Sequence, residues 1–302
     1  MRKVVVFADL FLEDYGENSK ILDIDPSLRN QHPGGAELHD HVVIEHFKSI
    51  GCEVEYLHSW DTSPELVKSK SDALFFVANF VLAKPDTKAA IYNNCDYIIY
   101  EHDYKFLKGR NPIEFPNFVA PKIYHTNVNF YQRAKKIICL SKMHRDIFDR
   151  NLSLSNITNI NCSMWSDEQL EILSSLANQK KTKPCAVLGT RNPTKRAAET
   201  KKFCETNNIE HEVVYSTDNF EFLKNLSQFE SLAFMTGHPE PTPRIIMEAK
   251  MLNCKIISQK ELLGVAHEEY FNLNGKELIH KVRELRDQAL KDVLQPFVED
   301  SV

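Results

Sequence analysis

The sequence has 302 residues, of which 42% are hydrophobic and 26% charged, and its net charge is −5. These values are ordinary for a soluble globular chain and exclude disordered and fibrous classes, and the length suits two domains of roughly 150 residues. The acidic balance excludes attraction of nucleic acid by the molecule as a whole, so an anion-binding site would have to be local. No run reaches the ~20 apolar residues of a membrane span, so we expect no transmembrane segment.

The seven cysteines include no CxxC pair and no spacing typical of a zinc site. Several of them, such as Cys139 and Cys254, stand inside apolar runs, where a thiol behaves as a small core residue. We therefore expect reduced thiols and a cytoplasmic protein. The apolar run near the N-terminus, Val4 to Ala8, is too short for a signal peptide and predicts a buried strand instead.

Short apolar runs recur along the chain and are followed by segments with helical periodicity, which predicts parallel α/β sheets. The predicted strands are 4–8, 53–57, 73–78, 97–100, 136–140, 185–189, 212–215, 232–235 and 255–258, and helices are predicted over 36–50, 197–207, 244–252 and 276–294. A polar stretch at 149–184 indicates a boundary between an N-terminal domain, 1–163, and a C-terminal domain, 164–302. Such doubly wound sheets bind ligands at the carboxyl ends of their strands.

The segment from Glu240 to Glu248 follows the predicted strand 232–235 and crosses into the next helix. Two carboxylates eight residues apart can accept hydrogen bonds from sugar hydroxyls, and the amides at a helix start can bind phosphate. The alternative interpretation makes Glu248 a solvated helix residue and Glu240 a helix-starting acid.

The strand predicted at 185–189 is followed by Arg191 and Lys195, two cations that could neutralise a diphosphate at the sheet edge. They could equally belong to a solvated basic cluster, because other lysines lie nearby in the sequence. Between the first predicted strand and its helix, Gly34-Gly35 lets the backbone approach a ligand at a helix N-terminus. His102 and Asp103 follow the strand predicted at 97–100, and Asp103 could orient the imidazole ring by hydrogen bonding.

Together these motifs resemble those of GT-B glycosyltransferases, in particular the retaining, family-4-like group. Glu240 and Glu248 match its E-x7-E motif, Gly34 to Glu37 its GGAE segment, and His102 its histidine after an N-terminal strand. The resemblance implies two Rossmann-like lobes facing across a cleft, with the last helix returning to the N-terminal lobe.

The resemblance also implies residue roles. Arg191 and Lys195 would bind the diphosphate, Glu240 the sugar hydroxyls and Glu248 the ribose, while His102 would face the donor sugar. Gly34, Gly35, Thr242 and Arg244 complete the donor-binding set that we predict. The co-substrate would be a nucleotide-sugar such as a UDP- or GDP-sugar, transferred with retention and without a cofactor or metal. Asp23 and Asp25 form a D-x-D sequence, but no apolar strand delivers it, so we do not interpret it as a metal site.

The sequence defines the acceptor less narrowly than it defines the donor. Cations and aromatic residues mix in the loop after His102, which makes Asp103, Lys105, Lys108 and Arg110 candidates for contact with an acceptor. Such a basic surface suits a lipid headgroup or DNA phosphates, so a modified nucleic-acid base is a predicted acceptor class beside saccharides and lipids. Thr242-Pro243 replaces the family's aromatic-Gly pair, and an inactive nucleotide-binding GT-B module or a nucleotide-sugar epimerase remain alternatives. No oligomeric state is predicted.

Overall fold

The computed structural model describes residues 2–15, 33–190, 195–216 and 218–299. The chain divides into two compact units. The first consists of Met1–Met164 together with Leu285–Val302, and the second of Trp165–Glu284. Each unit contains one parallel sheet with helices in its connections, as the sequence predicts.

The sheet of the first unit has six strands in the order β2-β1-β3-β4-β5-β6, all parallel to their neighbours. The strands are β1 (Lys3–Ala8), β2 (Glu53–His58), β3 (Leu74–Val77), β4 (Asp96–Tyr100), β5 (Lys136–Cys139) and β6 (Ile157–Asn159). Because β2 and β3 flank β1 on opposite sides, the winding direction reverses between β1 and β3, and a crevice is expected at their carboxyl ends.

Both faces of this sheet are buried, since side chains of a strand alternate between faces. On one face, Val4 and Val6 pack with α1 and with the C-terminal residues Leu290 and Leu294. On the other, Val5 and Phe7 pack with helices α2 to α5. The helices of this unit are α1 (Gly35–Ser49), α2 (Pro64–Lys68), α3 (Pro85–Asn94), α4 (Val128–Arg133) and α5 (Lys142–Leu152).

The second unit has four parallel strands in the order β10-β9-β7-β8. They are β7 (Lys183–Leu188), β8 (Glu212–Val214), β9 (Phe229–Phe234) and β10 (Lys255–Ser258), and the helices are α6 (Asp167–Leu176), α7 (Ala197–Thr206), α8 (Asn219–Leu226) and α9 (Arg244–Met251). The winding direction reverses between β7 and β9. Both loops that carry sequence motifs of the C-terminal half therefore leave the sheet at one crevice.

The structure contains helices α2 to α6 and α8, for which the sequence analysis gave no range, and it differs from the predicted elements in two further places. The polar stretch at 149–184 contains strand β6, which has only three residues and lies at the sheet edge, where little apolar patterning is needed. The helix predicted over 276–294 is α-helical only as α10 (Gly275–Gln288) and continues as a π-helix at Ala289–Leu294, before a last short helix, α11 (Pro296–Glu299). A bond from the amide of Gln295 to the carbonyl of Leu290, 2.9 Å, spans the wider turn.

None of the seven cysteines, all of which lie in the described part of the chain, forms a disulfide. Five of them are buried, as expected for core thiols. Among the described residues, no helix combines the length and apolar character that crossing a membrane requires.

Candidate functional site

The crevice of the second sheet brings together two of the predicted motifs. Lys195 follows β7 and Glu240 follows β9, and the Lys195 Nζ donates to Glu240 Oε1 at 2.6 Å. These residues are 45 positions apart in the sequence, and the pairing of β7 with β9 is what makes them neighbours. The carboxylate is almost wholly buried, whereas the lysine side chain is 29% exposed, so the ammonium group can still reach a ligand.

The position of Glu240 is set by its backbone. Its amide donates to the carbonyl of Leu262 at 2.8 Å, and its carbonyl accepts from the amide of Gly264 at 2.8 Å. Glu240 therefore forms an isolated parallel β-bridge with Leu263. The imidazole of His238 lies 3.5 Å from Glu240 Oε1. A carboxylate anchored in this way between two basic groups is preorganised to accept hydrogen bonds.

The second carboxylate of the motif, Glu248, lies on the first turns of α9 and is also buried. Its Oε1 is 3.3 Å from the guanidinium of Arg244, one turn earlier, and accepts a hydrogen bond from the indole of Trp165 at 3.1 Å. The interpretation of Glu248 as a solvated helix residue is therefore wrong. Burial lowers the pKa of Arg244, and the Glu248 carboxylate opposes that shift.

Thr242 and Pro243 lead directly into α9. Thr242 is buried, and Pro243 is the residue that caps the helix N-terminus, with an extended backbone. At this position the lack of a backbone N–H on proline removes no hydrogen bond from the helix. The departure from the family's aromatic-Gly pair is therefore compatible with a regular helix start beside the carboxylates.

In the first unit, the glycine motif is joined to His102. Gly34 is the residue before α1 and Gly35 is its first residue, and both precede the buried Glu37 and Asp40 on the same helix. His102 Nε2 is 2.7 Å from Asp40 Oδ1. The expectation that Asp103 orients the ring is therefore wrong, because Asp40 holds that position from the neighbouring helix.

Two side chains of this cluster, Glu37 and His102, have shifted pKa values. Burial raises the pKa of Glu37, and nearby Asp40 raises it further. Burial by itself would lower the pKa of His102, but the Asp40 carboxylate reverses the effect and leaves that pKa above its usual value. The Asp40 carboxylate therefore favours the protonated form of the His102 ring.

Beneath His102 lies a buried ionic network. The ammonium of Lys105 contacts the carboxylates of Glu101 and, at 3.0 Å, Asp103. Arg110 donates to the other oxygen of Asp103 at 2.9 Å, and the Tyr131 hydroxyl donates to Glu101. Glu101 also accepts from the backbone amides of His102 and Asp103, at 3.1 and 3.2 Å. The network therefore fixes the backbone that carries His102.

This arrangement corrects the prediction for Lys105, which is only 3% exposed. Its charge is matched inside the protein, so it does not present a cation to an acceptor. Burial would lower its pKa, but the two carboxylates raise the pKa above its usual value. Lys108 and Arg110 are exposed, and Arg110 is paired with Asp103.

One predicted site residue, Arg191, lies outside the described residues, as do Asp23 and Asp25 of the D-x-D sequence that we did not interpret as a metal site. Within the described ranges, no group of three or more His, Cys, Asp or Glu side chains is arranged to hold a metal ion.

Sequence reasoning missed several residues that contact the predicted site residues His102, Glu240, Arg244 and Glu248. Asp40, Trp165, Gln169 and His238 belong to no motif of the chain, and their spacing to the motif residues is irregular. Asp40 carried one usable signal, since an acid on the helix turn after Gly34-Gly35 faces the same side as Glu37. Contact between Trp165 and Glu248 is decided only by folding.

No family model matches the sequence, and no curated protein matches it. Among solved structures, HepE of Anabaena in complex with UDP-glucose is 13% identical, covering 99% of this chain and 92% of that one, with a TM-score of 0.48. An α-glucosyltransferase in complex with UDP and a 13-mer DNA containing an HMU base is 9% identical, covering 99% of this chain and 93% of that one, with a TM-score of 0.46. An α,α-trehalose-phosphate synthase (UDP-forming) from Burkholderia vietnamiensis is 8% identical, covering 98% and 93%, with a TM-score of 0.49. Likenesses of this strength assign no substrate and no residue role to this chain.

The ionic network predicts a large stability difference between two neighbouring lysines. Lys105→Met should destabilise the first unit by about 3–5 kcal/mol, because it leaves Glu101 and Asp103 buried without their cation. Lys108→Met is the matched control and should change stability by less than about 0.5 kcal/mol, because Lys108 is exposed. Urea denaturation of both variants measures the difference, and equal losses would contradict the network.

The pairing of His102 with Asp40 predicts a pH effect. Because the folded pKa of His102 is raised, its protonation stabilises the protein fully below the unfolded value of about 6.5, and this stabilisation is lost as pH rises through the folded pKa. Asp40→Asn should lower the pKa of His102 below its usual value, since burial and the Lys105 ammonium lower that pKa more than the Glu101 carboxylate raises it. NMR titration of the His102 ring tests this, and an unchanged pKa would exclude Asp40 as the cause.

The melting temperature of the parent protein should also exceed that of Asp40→Asn by the largest margin at acidic pH. It should shrink as pH rises above the folded pKa of His102. A constant difference across that range would indicate a packing effect of Asp40 rather than an electrostatic one.

Proposed function

We propose that this protein is a glycosyltransferase that takes a sugar from a nucleotide-diphosphate donor such as a UDP- or GDP-sugar and transfers it, with retention and without a metal ion, to an acceptor hydroxyl. The observation that carries the proposal is the bond between Lys195 and Glu240 at the crevice of the second sheet. Two motifs that separately resemble those of family-4-like GT-B enzymes meet there. A basic cluster on a solvated surface would have no reason to contact the buried acid of the other motif.

The donor is bound through complementary charges in this proposal. Lys195, with Arg191, neutralises the diphosphate, and Glu240 accepts hydrogen bonds from sugar hydroxyls. Glu248 accepts hydrogen bonds from the ribose. The partial exposure of Lys195 supports its role, since the ammonium can contact the diphosphate while remaining near Glu240.

Transfer proceeds on the face of the sugar from which the diphosphate departs. The bond between the anomeric carbon and the diphosphate oxygen breaks, and a bond to the acceptor oxygen forms. The acceptor proton passes to the leaving diphosphate. Stabilisation of the departing charge by basic groups is the main requirement of this route. Glu240 is engaged by Lys195 and His238, which suits a binding role better than that of a nucleophile.

The acceptor hydroxyl is carried by a saccharide, a lipid or a modified base of DNA. Lys108 and Arg110 are the exposed cations of the loop after His102 and can meet an acceptor phosphate. With Lys105 buried, this basic surface is smaller than the sequence suggests.

A donor panel tests the proposal. UDP- and GDP-sugars should raise the melting temperature of the protein, because a ligand that binds only the folded state stabilises it by mass action. Donor hydrolysis or transfer to saccharides, lipids or oligonucleotides with a hydroxymethylated base should persist in EDTA, and NMR should find the donor's anomeric configuration in the product. Stabilisation without turnover would support the inactive nucleotide-binding module, and release of an isomerised nucleotide-sugar would support the epimerase.

Two substitutions test the ion pair. Lys195→Ala and Glu240→Gln should each lower kcat/KM by about 10²–10³-fold, because each removes a charged partner of the donor. Lys202→Ala, on the exposed face of α7, is the matched control and should keep parent activity. Near-normal turnover in the first two variants would remove both residues from the site.

A further inference from the structure

The carboxylate of Glu248 is held by the segment that begins the second unit. Trp165, the first residue of that unit, is fully buried and donates its indole N–H to Glu248 Oε1 at 3.1 Å. The guanidinium of Arg244 lies over the same indole ring, 4.5 Å from its centroid, and is 3.3 Å from the same oxygen. Trp165 therefore contacts both members of the Arg244–Glu248 pair.

Gln169 closes this arrangement into a ring of contacts. Its Oε1 accepts from Arg244 at 3.3 Å and from the backbone amide of Ser166 at 3.2 Å. The Ser166 hydroxyl in turn accepts from the amide of Gln169 at 3.2 Å, which completes a capping box at the start of α6. Ser166, the residue after Trp165, is thus fixed to α6, and Gln169 of the same helix contacts Arg244 on α9.

We infer that Trp165 is a positioning residue for recognition of the nucleotide ribose. It fixes Glu248 and Arg244 so that the carboxylate presents its other oxygen, Oε2, to the ribose hydroxyls. This inference rests on the proposed function, because it takes Glu248 as the ribose-binding acid. Gln169 supports the same geometry from α6 by fixing Arg244.

The physical basis is the cost of burying charge. A carboxylate that is 8% exposed needs hydrogen-bond donors, and one that is free to rotate would turn toward its nearest cation. A neutral indole donor and a guanidinium placed over the indole face define one orientation for the carboxylate. Phenylalanine at position 165 would keep an aromatic face for Arg244 but could not donate to Glu248.

The test compares the two tryptophans of the chain, Trp60 and Trp165. Trp60 also donates a hydrogen bond, to the carbonyl of Asp9 at 3.2 Å, but it lies in the first unit. Trp165→Phe should weaken binding of the preferred ribonucleoside diphosphate, chosen from UDP, GDP and ADP, by about tenfold to a hundredfold. Trp60→Phe is the matched control and should bind it as the parent protein does.

The readout that separates positioning from general stability is the preference for ribose. Calorimetric affinities are measured for each nucleotide and its 2′-deoxy form. In Trp165→Phe the ratio of the two affinities should shrink, because the 2′-hydroxyl loses an oriented acceptor. If the affinity for both forms falls by the same factor, or does not fall, the ratio stays unchanged and the inference is overturned.

A second measurement does not require Trp165 to be replaced. In Trp60→Phe, Trp165 is the only tryptophan, so the fluorescence of this variant reports on the Glu248 pocket alone. The ribonucleotide should change its emission more than the 2′-deoxy form does, and an emission that responds to neither bound nucleotide would contradict the inference. If no nucleotide binds the parent protein, it is the proposed function that fails.

Discussion

The candidate site depends on buried carboxylates that are matched by basic or hydrogen-bonding partners. Glu240 is bound by Lys195, Glu248 by Arg244 and Trp165, Asp40 by His102, and Glu101 by Lys105. An unmatched carboxylate in such surroundings would be protonated or would destabilise the fold. These partners therefore reduce the free-energy cost of burying the carboxylates, and they also fix the orientation of each carboxylate.

The four pairs differ in what they leave accessible. Lys195 has a partly exposed side chain and can exchange part of its contact with Glu240 for a ligand, whereas Lys105 is enclosed between Glu101 and Asp103. The first arrangement suits binding of an anion and the second suits support of a loop. The same residue types thus take opposite roles in the two units because of their exposure.

Sheet topology explains why the motifs of the second half meet. The chain winds from β7 outward to β8, then returns past β7 to β9, so the loops after β7 and β9 diverge from adjacent strands. The crevice between them is the ordinary place for ligand binding in a doubly wound sheet. Lys195 and Glu240 lie on these two loops, which accounts for their contact without any shared local sequence.

The sequence by itself determined the alternation of strands and helices and predicted Lys195, Glu240 and Glu248 as site residues, because apolar periodicity and motif order are local properties of the chain. It could not assign the partners. Asp103 is adjacent to His102 along the chain, yet Asp40 binds the ring, and Trp165 reaches Glu248 across 83 positions. The tertiary structure alone decided these contacts and the burial of Lys105, because burial and pairing depend on which elements pack together after the chain has folded.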